Sequence, residues 1–220
     1  MSILPCRKQM TSSFLILLIL VAFGSAPLLA SSPDSNKART LSKKDREFAT
    51  QRLNASKKKL LDAISGLSEA QWNFKPSPLK WSIAETAEHL VLAEDTIFSL
   101  VTERILKTPA AEDGVSSKVE NTAIFEAATD RSRRFQAPAV IRPKQKWETK
   151  DDLIKEFEKR RARTIAYVES TSDELHGHFL KNALFKDELD AFQWLLFAAA
   201  HNERHMAQIN EVKANPNFPM

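Results

Sequence analysis

The chain has 220 residues, 43% of them hydrophobic and 27% charged, with a formal net charge of +4. That length supports a domain with a sizeable core, and a charge so near balance gives no general reason to expect a nucleic-acid partner. Its only glycines, Gly24, Gly66, Gly114 and Gly177, lie too far apart for a phosphate-cradling loop or a dinucleotide fingerprint, and no G-x-S-x-G elbow is present, so those enzyme classes are excluded.

In chain order, residues 1–30 come first. Arg7 and Lys8 precede the unbroken apolar run "FLILLILVAF", Phe14 to Phe23, and small residues follow it. This is the pattern of a secretory signal peptide, with cleavage after Ala26 or Ala30. The run is shorter than the roughly 20 residues a membrane span needs. An uncleaved anchor is the alternative. Cleavage would remove Cys6, the single cysteine, and leave a chain without disulfides. It would also remove Arg7 and Lys8, lowering the net charge from +4 to +2. The expected destination is the periplasm or the exterior, with no membrane contact after the signal is gone. Residues 31–41 are small and polar and read as a linker.

From Ser42 the pattern becomes helical. Phe48, Leu53, Leu60, Leu61 and Ile64 recur at helical spacing, and Gly66 suits the position just beyond the end. Pro76 and Pro78 forbid continuation, while Trp72, Phe74 and Trp81 make the connector apolar enough to pack down. Ser82-Ile83-Ala84-Glu85 is a capping box opening a second helix. Its apolar stripe includes Ile83, Ala87, Leu90, Val91, Ile97 and Val101, and Pro109 marks its end. Glu94 falls within that stripe, where a buried ion pair or hydrogen bond is the expected role. Residues 110–148 have no clean period beyond a short helical stretch in "NTAIFEAATDRSRRF"; a connection this long suggests a loop over a site. The basic cluster from Arg131 to Lys146 reads as a solvated loop.

Thr149 caps a third helix that ends near Ser170, with Asp151 and Asp152 well placed in its first turn. "TSDELHGHFLKNALFK" is a connector. A fourth helix runs from about Asp187 to Ala214, and "AFQWLLFAAA" within it is apolar nearly all round, as in a central helix. No segment shows the alternation of a strand. The expected fold is all-α: an antiparallel four-helix bundle over residues 42–215, with a long loop between the second and third helices.

The chemistry rests on histidines. His201 and His205 in "HNERH" lie four residues apart, and about 40° apart around a helix, on a face shared with Trp194, Phe197 and Gln208. Three readings stay open for such a pair: ligands of one metal ion, a packed core pair, or two surface rings. The H-E-x-x-H protease pattern does not apply, because Asn202 follows the first histidine and Glu203 points about 200° away. His89 on the second helix lies on a face of small and polar residues with Ser82, Glu85, Ala93 and Thr96, either half exposed or as a third ligand. His176 and His178 flank Gly177 in the connector and read as loop histidines.

"WNFKPSPLKWSIAETAEHLVLAED" followed far downstream by "HNERHMAQI" resembles the DinB-like superfamily of bacterial four-helix bundles, over most of residues 45–213. The carriers are Trp72, Phe74, Pro76, Trp81-Ser82-Ile83, His89-Leu90, Ala137-Pro138, His201 and His205. The resemblance implies a divalent metal ion held by His89, His201 and His205. Zinc, nickel, iron and manganese all suit imidazole. Three imidazoles and an open position belong to a catalytic rather than a structural site, where the position could take water, a thiolate or a substrate carbonyl. Glu85, one turn before His89, is the candidate partner for a ligand's other ring nitrogen. The implied activity is that of a metal-dependent hydrolase on an unknown small molecule. A thiol-dependent transferase is the alternative, disfavoured by the signal segment because the thiols concerned are mainly cytosolic. A non-catalytic helical scaffold is the third reading, and homodimerisation fits a bundle of this kind.

Overall fold

The computed structural model describes residues 39–132, 135–185 and 187–220. The proposed signal peptide and nearly all of the proposed linker lie outside the described residues.

Local signals set the helix ends. Helix α1, Lys43–Ile64, begins with a reciprocal capping box between Ser42 and Asp45. Its buried residues Ala49, Leu53, Ser56, Leu60 and Ile64 fall at helical intervals on one face. Gly66, with φ +68°, takes the left-handed conformation just past the end, which a side chain would resist. Helix α2, Glu69–Asn73, is a single capped turn that buries Trp72. Helix α3, Ile83–Ser99, opens with the Ser82–Glu85 capping box and continues through a π turn, Leu100–Arg104, and a 3-10 turn, Ile105–Lys107. Helix α4, Asn121–Thr129, and a 3-10 turn, Ala139–Ile141, lie within the long connection. Helix α5, Lys150–Ser170, is capped by Thr149. Helix α6, Ala191–Lys213, is capped by Asp190 and Gln193.

Between α5 and α6 the expectation of a strandless connector is corrected. Strands β1, Phe179–Asn182, and β2, Asp187–Asp190, form an antiparallel hairpin pairing Phe179 with Asp190 and Asn182 with Asp187. Helix α6 therefore begins at Ala191, not at Asp187. The acidic residues that suit a helix's first turn are engaged in the ladder instead, and only Asp190 serves the helix, as its cap.

The four long helices pack as a bundle in which α5 and α6 each lie against both α1 and α3. Cross-helix bonds give the chain directions. Ser56 pairs with Asn202, Lys59 with Glu203 and Ala63 with Lys213, so α1 and α6 run in the same sense. Val91 meets Arg160, Glu94 meets Arg161, and Phe98 meets Tyr167, so α3 and α5 also run together. Arg46 bonds the carbonyls of Val168 and Thr171 while Arg161 bonds that of Leu53, so α1 and α5 oppose each other. Not every neighbour is antiparallel, as the sequence had suggested. A short loop forces neighbours to oppose one another, whereas a long crossover frees them. Residues 108–149 provide that crossover: they return the chain over the roughly 1.5 Å per residue climbed by α3.

Two apolar clusters fill the bundle, one around Leu53, Phe192, Leu195 and Val101, the other around Leu60, Ile83, Phe157 and Ile209. A polar layer drawn from all four long helices lies between them. Arg161 grips Glu94 with two bonds of 3.0 and 2.7 Å and donates to the Leu53 carbonyl and Ser56 Oγ at 2.9 and 2.7 Å. Thr164 Oγ1 donates to the same carboxylate at 2.8 Å, and Asn202 Nδ2 donates to the Ser56 carbonyl at 3.0 Å. A buried charge is tolerated only when paired and hydrogen-bonded, and this layer fixes the rotation of each helix about its axis.

Candidate metal centre

Helix α3 presents His89 towards the same point as His201 and His205, which α6 offers from adjacent turns. The three Nε2 atoms form a nearly regular triangle: 3.1 Å from His89 to His205, 3.2 Å from His205 to His201 and 3.3 Å from His89 to His201. His89 and His205 are 1% and 9% exposed, while His201 is half-buried. Among the described residues, this is the group of three or more His, Cys, Asp or Glu side chains close enough to share an ion.

The other ring nitrogens set the tautomers. His89 Nδ1–H donates to the Ile141 carbonyl at 2.7 Å, and His205 Nδ1 lies 3.0 Å from Gln208 Oε1. With Nδ1 protonated, each of these rings directs an Nε2 lone pair inward. Burial holds all three rings below the ordinary imidazole value. For His205 burial and the neighbouring His89 bring it down to about 3. Burial, then the charges of His205, His89 and Arg204, take His201 well below 6.5. At His89 burial outweighs the opposing bond to Ile141. His89 and His205 thus aim two lone pairs at the point where His201 Nε2 also lies, an arrangement that a cation among them would stabilise. Three nitrogens bound tetrahedrally to one ion at ~2.0–2.1 Å would stand about 3.3–3.4 Å apart, and the observed spacings match within a few tenths of an ångström. The donor set therefore fits a divalent transition metal.

The loop after α4 completes the centre. Glu88, next to His89, accepts the backbone amides of Lys144, Gln145 and Lys146 at 2.8, 2.9 and 3.1 Å. Those three bonds hold the turn that carries the Ile141 carbonyl to His89, and they support Gln145 at φ 57°. Sequence reasoning missed Glu88 and Ile141. A backbone carbonyl has no sequence signature, and a glutamate in a helix reads as solvated; the available signal was that Glu88 directly precedes His89. Gln208, in contrast, lies on the histidine face the helical period predicts.

Glu85 does not support His89 and is corrected here. One of its oxygens closes the capping box on the Ser82 amide at 2.8 Å, and the other pairs with Lys75 at 2.8 Å. His176 and His178 stay apart from the triad. His176 Nδ1 lies 2.8 Å from Asp190 and its Nε2 3.6 Å from Asp45, which links the caps of α6 and α1. His178 Nδ1–H donates to the Thr108 carbonyl at 2.8 Å. Glu203 pairs with Lys59 at 3.2 Å on the far side of α6, so it does not stand where a zinc protease would need its carboxylate.

His201 and His205 form part of the wall of a cavity of about 1290 Å³, with His89 behind them. Trp81 lies over His205, their ring centres 6.4 Å apart and planes within 23°, and touches His89 at 4.9 Å. Phe197 approaches His201 at 5.8 Å. The cavity therefore offers the open side of the triangle an aromatic, partly water-excluding approach.

Comparison with known proteins finds relatives of this chain. The model of the DinB superfamily matches residues 52–209. An uncharacterized protein of Bacillus subtilis strain 168, YuaE, is 28% identical over 160 residues, covering 73% of this chain and 94% of its own. Among solved structures, YfiT from Bacillus subtilis superposes with a TM-score of 0.50 at 15% identity, over 82% of this chain and 92% of its own. That protein is described as "a probable metal-dependent hydrolase with an unusual four-helix bundle topology". At such identity the likeness extends to the fold alone.

Proposed function

The chain belongs to the DinB superfamily, and from that premise we propose that it is a metal-dependent hydrolase acting on a small molecule, with His89, His201 and His205 as ligands of one divalent ion. The observation that carries the reading is the triangle of Nε2 atoms, 3.1–3.3 Å apart, that brings His89 together with His201 and His205 from more than a hundred positions away. YfiT, with the same fold, is described as a probable hydrolase of this kind, which agrees with it. Export to the periplasm or the exterior, after loss of residues 1–30, belongs to the same proposal and rests on the sequence of that segment.

A divalent ion bound by three imidazoles supplies Lewis-acid activation of water or of a substrate oxygen near neutral pH. The protein's own part is preparation. Burial lowers the proton affinity of all three rings, which favours their neutral, metal-binding form. Ile141 and Gln208 fix the ring orientations, as partners of metal-bound histidines do. Trp81 and Phe197 flank the rings and limit water to the cavity side. Asn202 stands where an H-E-x-x-H helix carries its glutamate, and Glu203 is paired with Lys59, so helix α6 does not supply the glutamate base of those enzymes.

The test uses the full-length, untagged chain expressed in bacteria and fractionated. The exported form should lack the first 26 or 30 residues by mass spectrometry and hold about one equivalent of a transition metal by elemental analysis. His89→Ala, His201→Ala and His205→Ala should each lose that metal and with it the hydrolysis of activated esters. Metal content unchanged in all three variants would refute the site, and an intact N-terminus would refute export. A metal-loaded protein that consumes a low-molecular-weight thiol during turnover would move the reading to a transferase.

A further inference from the structure

Beyond the histidines the cavity continues between two helix faces. One face of α3 and the π turn that extends it carries His89 and then, about a turn apart, Ala93, Ile97 and Leu100. One face of α6 carries Trp194, Phe197 and His201 at similar intervals. Helices α3 and α6 run in opposite senses, because each runs with one of the opposed pair α5 and α1. The two rows therefore leave the histidines in the same direction and wall an apolar slot. Ala93 and Ile97 are 3% and 7% exposed, so the slot is narrow. From Trp194 to His201 helix α6 rises by about 10 Å, the length of an octyl chain. Ala93 leaves room at the histidine end, where a longer side chain one turn from His89 would stand in the slot.

The far end is polar. Trp194 Nε1–H donates to the Leu180 carbonyl at 3.3 Å, which sets the β1–β2 hairpin against that end. Asn182, the last residue of β1, lines the cavity and is 5% exposed. Its Oδ1 accepts the Leu184 amide at 2.9 Å, while its Nδ2 has no partner among the described residues. A buried donor without a partner is costly, and an acceptor on a bound molecule would satisfy it. The slot residues carry no charge. Of the cations elsewhere on the cavity wall, Arg131 meets Glu211 through both terminal nitrogens, at 2.8 and 2.9 Å, and Arg204 donates to the carbonyls of Ala128 and Asp130 at 2.9 and 2.6 Å. A carboxylate or an ammonium drawn into the slot would lose its hydration without an ionic partner there.

We propose that the substrate of this site is a neutral molecule with an unbranched apolar arm. The arm lies between the Ala93–Leu100 and Trp194–Phe197 faces and ends in a hydrogen-bond acceptor received by Asn182 Nδ2. This deepens the hydrolase reading and rests on it only for the reacting group, which the arm would deliver to the histidines. The binding preference itself stands on the slot and on Asn182.

Binding is measured calorimetrically at about pH 8 on the full chain, both metal-free and metal-loaded. The probes are 1-butanol, 1-hexanol and 1-octanol, with octanoate and octylamine as the charged analogues. Affinity of the metal-free protein for the alcohols should rise by roughly three- to fourfold per methylene, and octanol should bind more tightly than either charged analogue. Asn182→Asp keeps the acceptor for the Leu184 amide but replaces the free donor with an ionised oxygen. It should weaken octanol by about three- to tenfold and strengthen octylamine. Ala93→Leu fills the histidine end, so it should weaken octanol and leave butanol unchanged, with melting temperatures confirming the fold of both variants. The proposal is overturned if no alcohol binds, if the series is flat, if either charged analogue matches octanol, if Asn182→Asp changes neither probe, or if Ala93→Leu weakens every alcohol equally. Chain-length-dependent binding by a protein that takes up no metal would remove the metal centre alone, whereas a metal-loaded protein indifferent to chain length would remove this inference alone.

Discussion

Arg161→Met tests the polar layer that orients the helices around the histidines. Arg161 and Glu94 have side chains 1% and 2% exposed. The substitution removes four hydrogen bonds and leaves the Glu94 carboxylate with Thr164 as its remaining partner in the layer. Removing one member of a buried ion pair costs about 3–5 kcal/mol, because the other charge is stranded. A domain of this size shifts by roughly 2–4 °C per kcal/mol, so the melting temperature should fall by about 6–20 °C. Glu94→Gln strands Arg161 in the same way and should cost a similar amount. The double variant strands neither charge, so it should be less destabilised than the sum of the two, with a coupling energy of about 2 kcal/mol or more. Chemical denaturation of the four proteins at one pH gives the cycle. A shift below ~3 °C for Arg161→Met, or single effects that simply add, would refute the reasoning that this pair is buried, dry and interdependent.

Glu88→Gln removes one of the two acceptor oxygens that hold the amides of Lys144, Gln145 and Lys146. The loop bearing Ile141 should loosen, and metal affinity should drop by about 10-fold, read by competition with a chelator; an unchanged affinity would show that the His89–Ile141 bond does not need that loop. His176 gives the pH prediction. Burial opposes its charged form, but the bond to Asp190 and the charges of Asp190 and Asp45 outweigh burial and raise its pKa. A raised folded value means stability that is full below the unfolded pKa of about 6.5 and lost as pH climbs through the folded value. His176→Gln should therefore be less stable than the parent at pH 6, with the gap closing by pH 9 in urea midpoints; a gap that stays constant or widens would reverse the assignment.

Much of the fold was legible because its signals are local. Ser42, Ser82 and Thr149 cap the helices their neighbours predict, and the interval from Leu53 to Leu60 to Ile64 marks a buried face without reference to any partner. Helix α2 is too short for periodicity to reveal, and an isolated turn of that length does not hold together without Trp72 packed beneath it. The hairpin escaped for a related reason. Four-residue strands such as "FLKN" and "DELD" carry little alternation, and only their mutual pairing distinguishes them from a connector and a helix start. Glu94 is the buried, ion-paired residue that its place in the stripe of α3 predicts, whereas the burial of Glu88 and His89 was underestimated because they lie outside that stripe. Each is buried at the expense of a distant partner: backbone amides, imidazoles and a guanidinium.

From the sequence alone came the four long helices, most of their limits, the shared face of His201 and His205, and a resemblance that singles out His89. Only the tertiary structure decided that the three rings meet within 3.3 Å, that Ile141 rather than Glu85 steadies His89, and that α1 and α3 run alongside α6 and α5. Helix formation depends on neighbours a few residues apart, which the sequence writes out in order. Convergence of His89 with residues more than a hundred positions away depends on the rotation and direction of whole helices, and those are settled by the buried polar layer and the long crossover acting together.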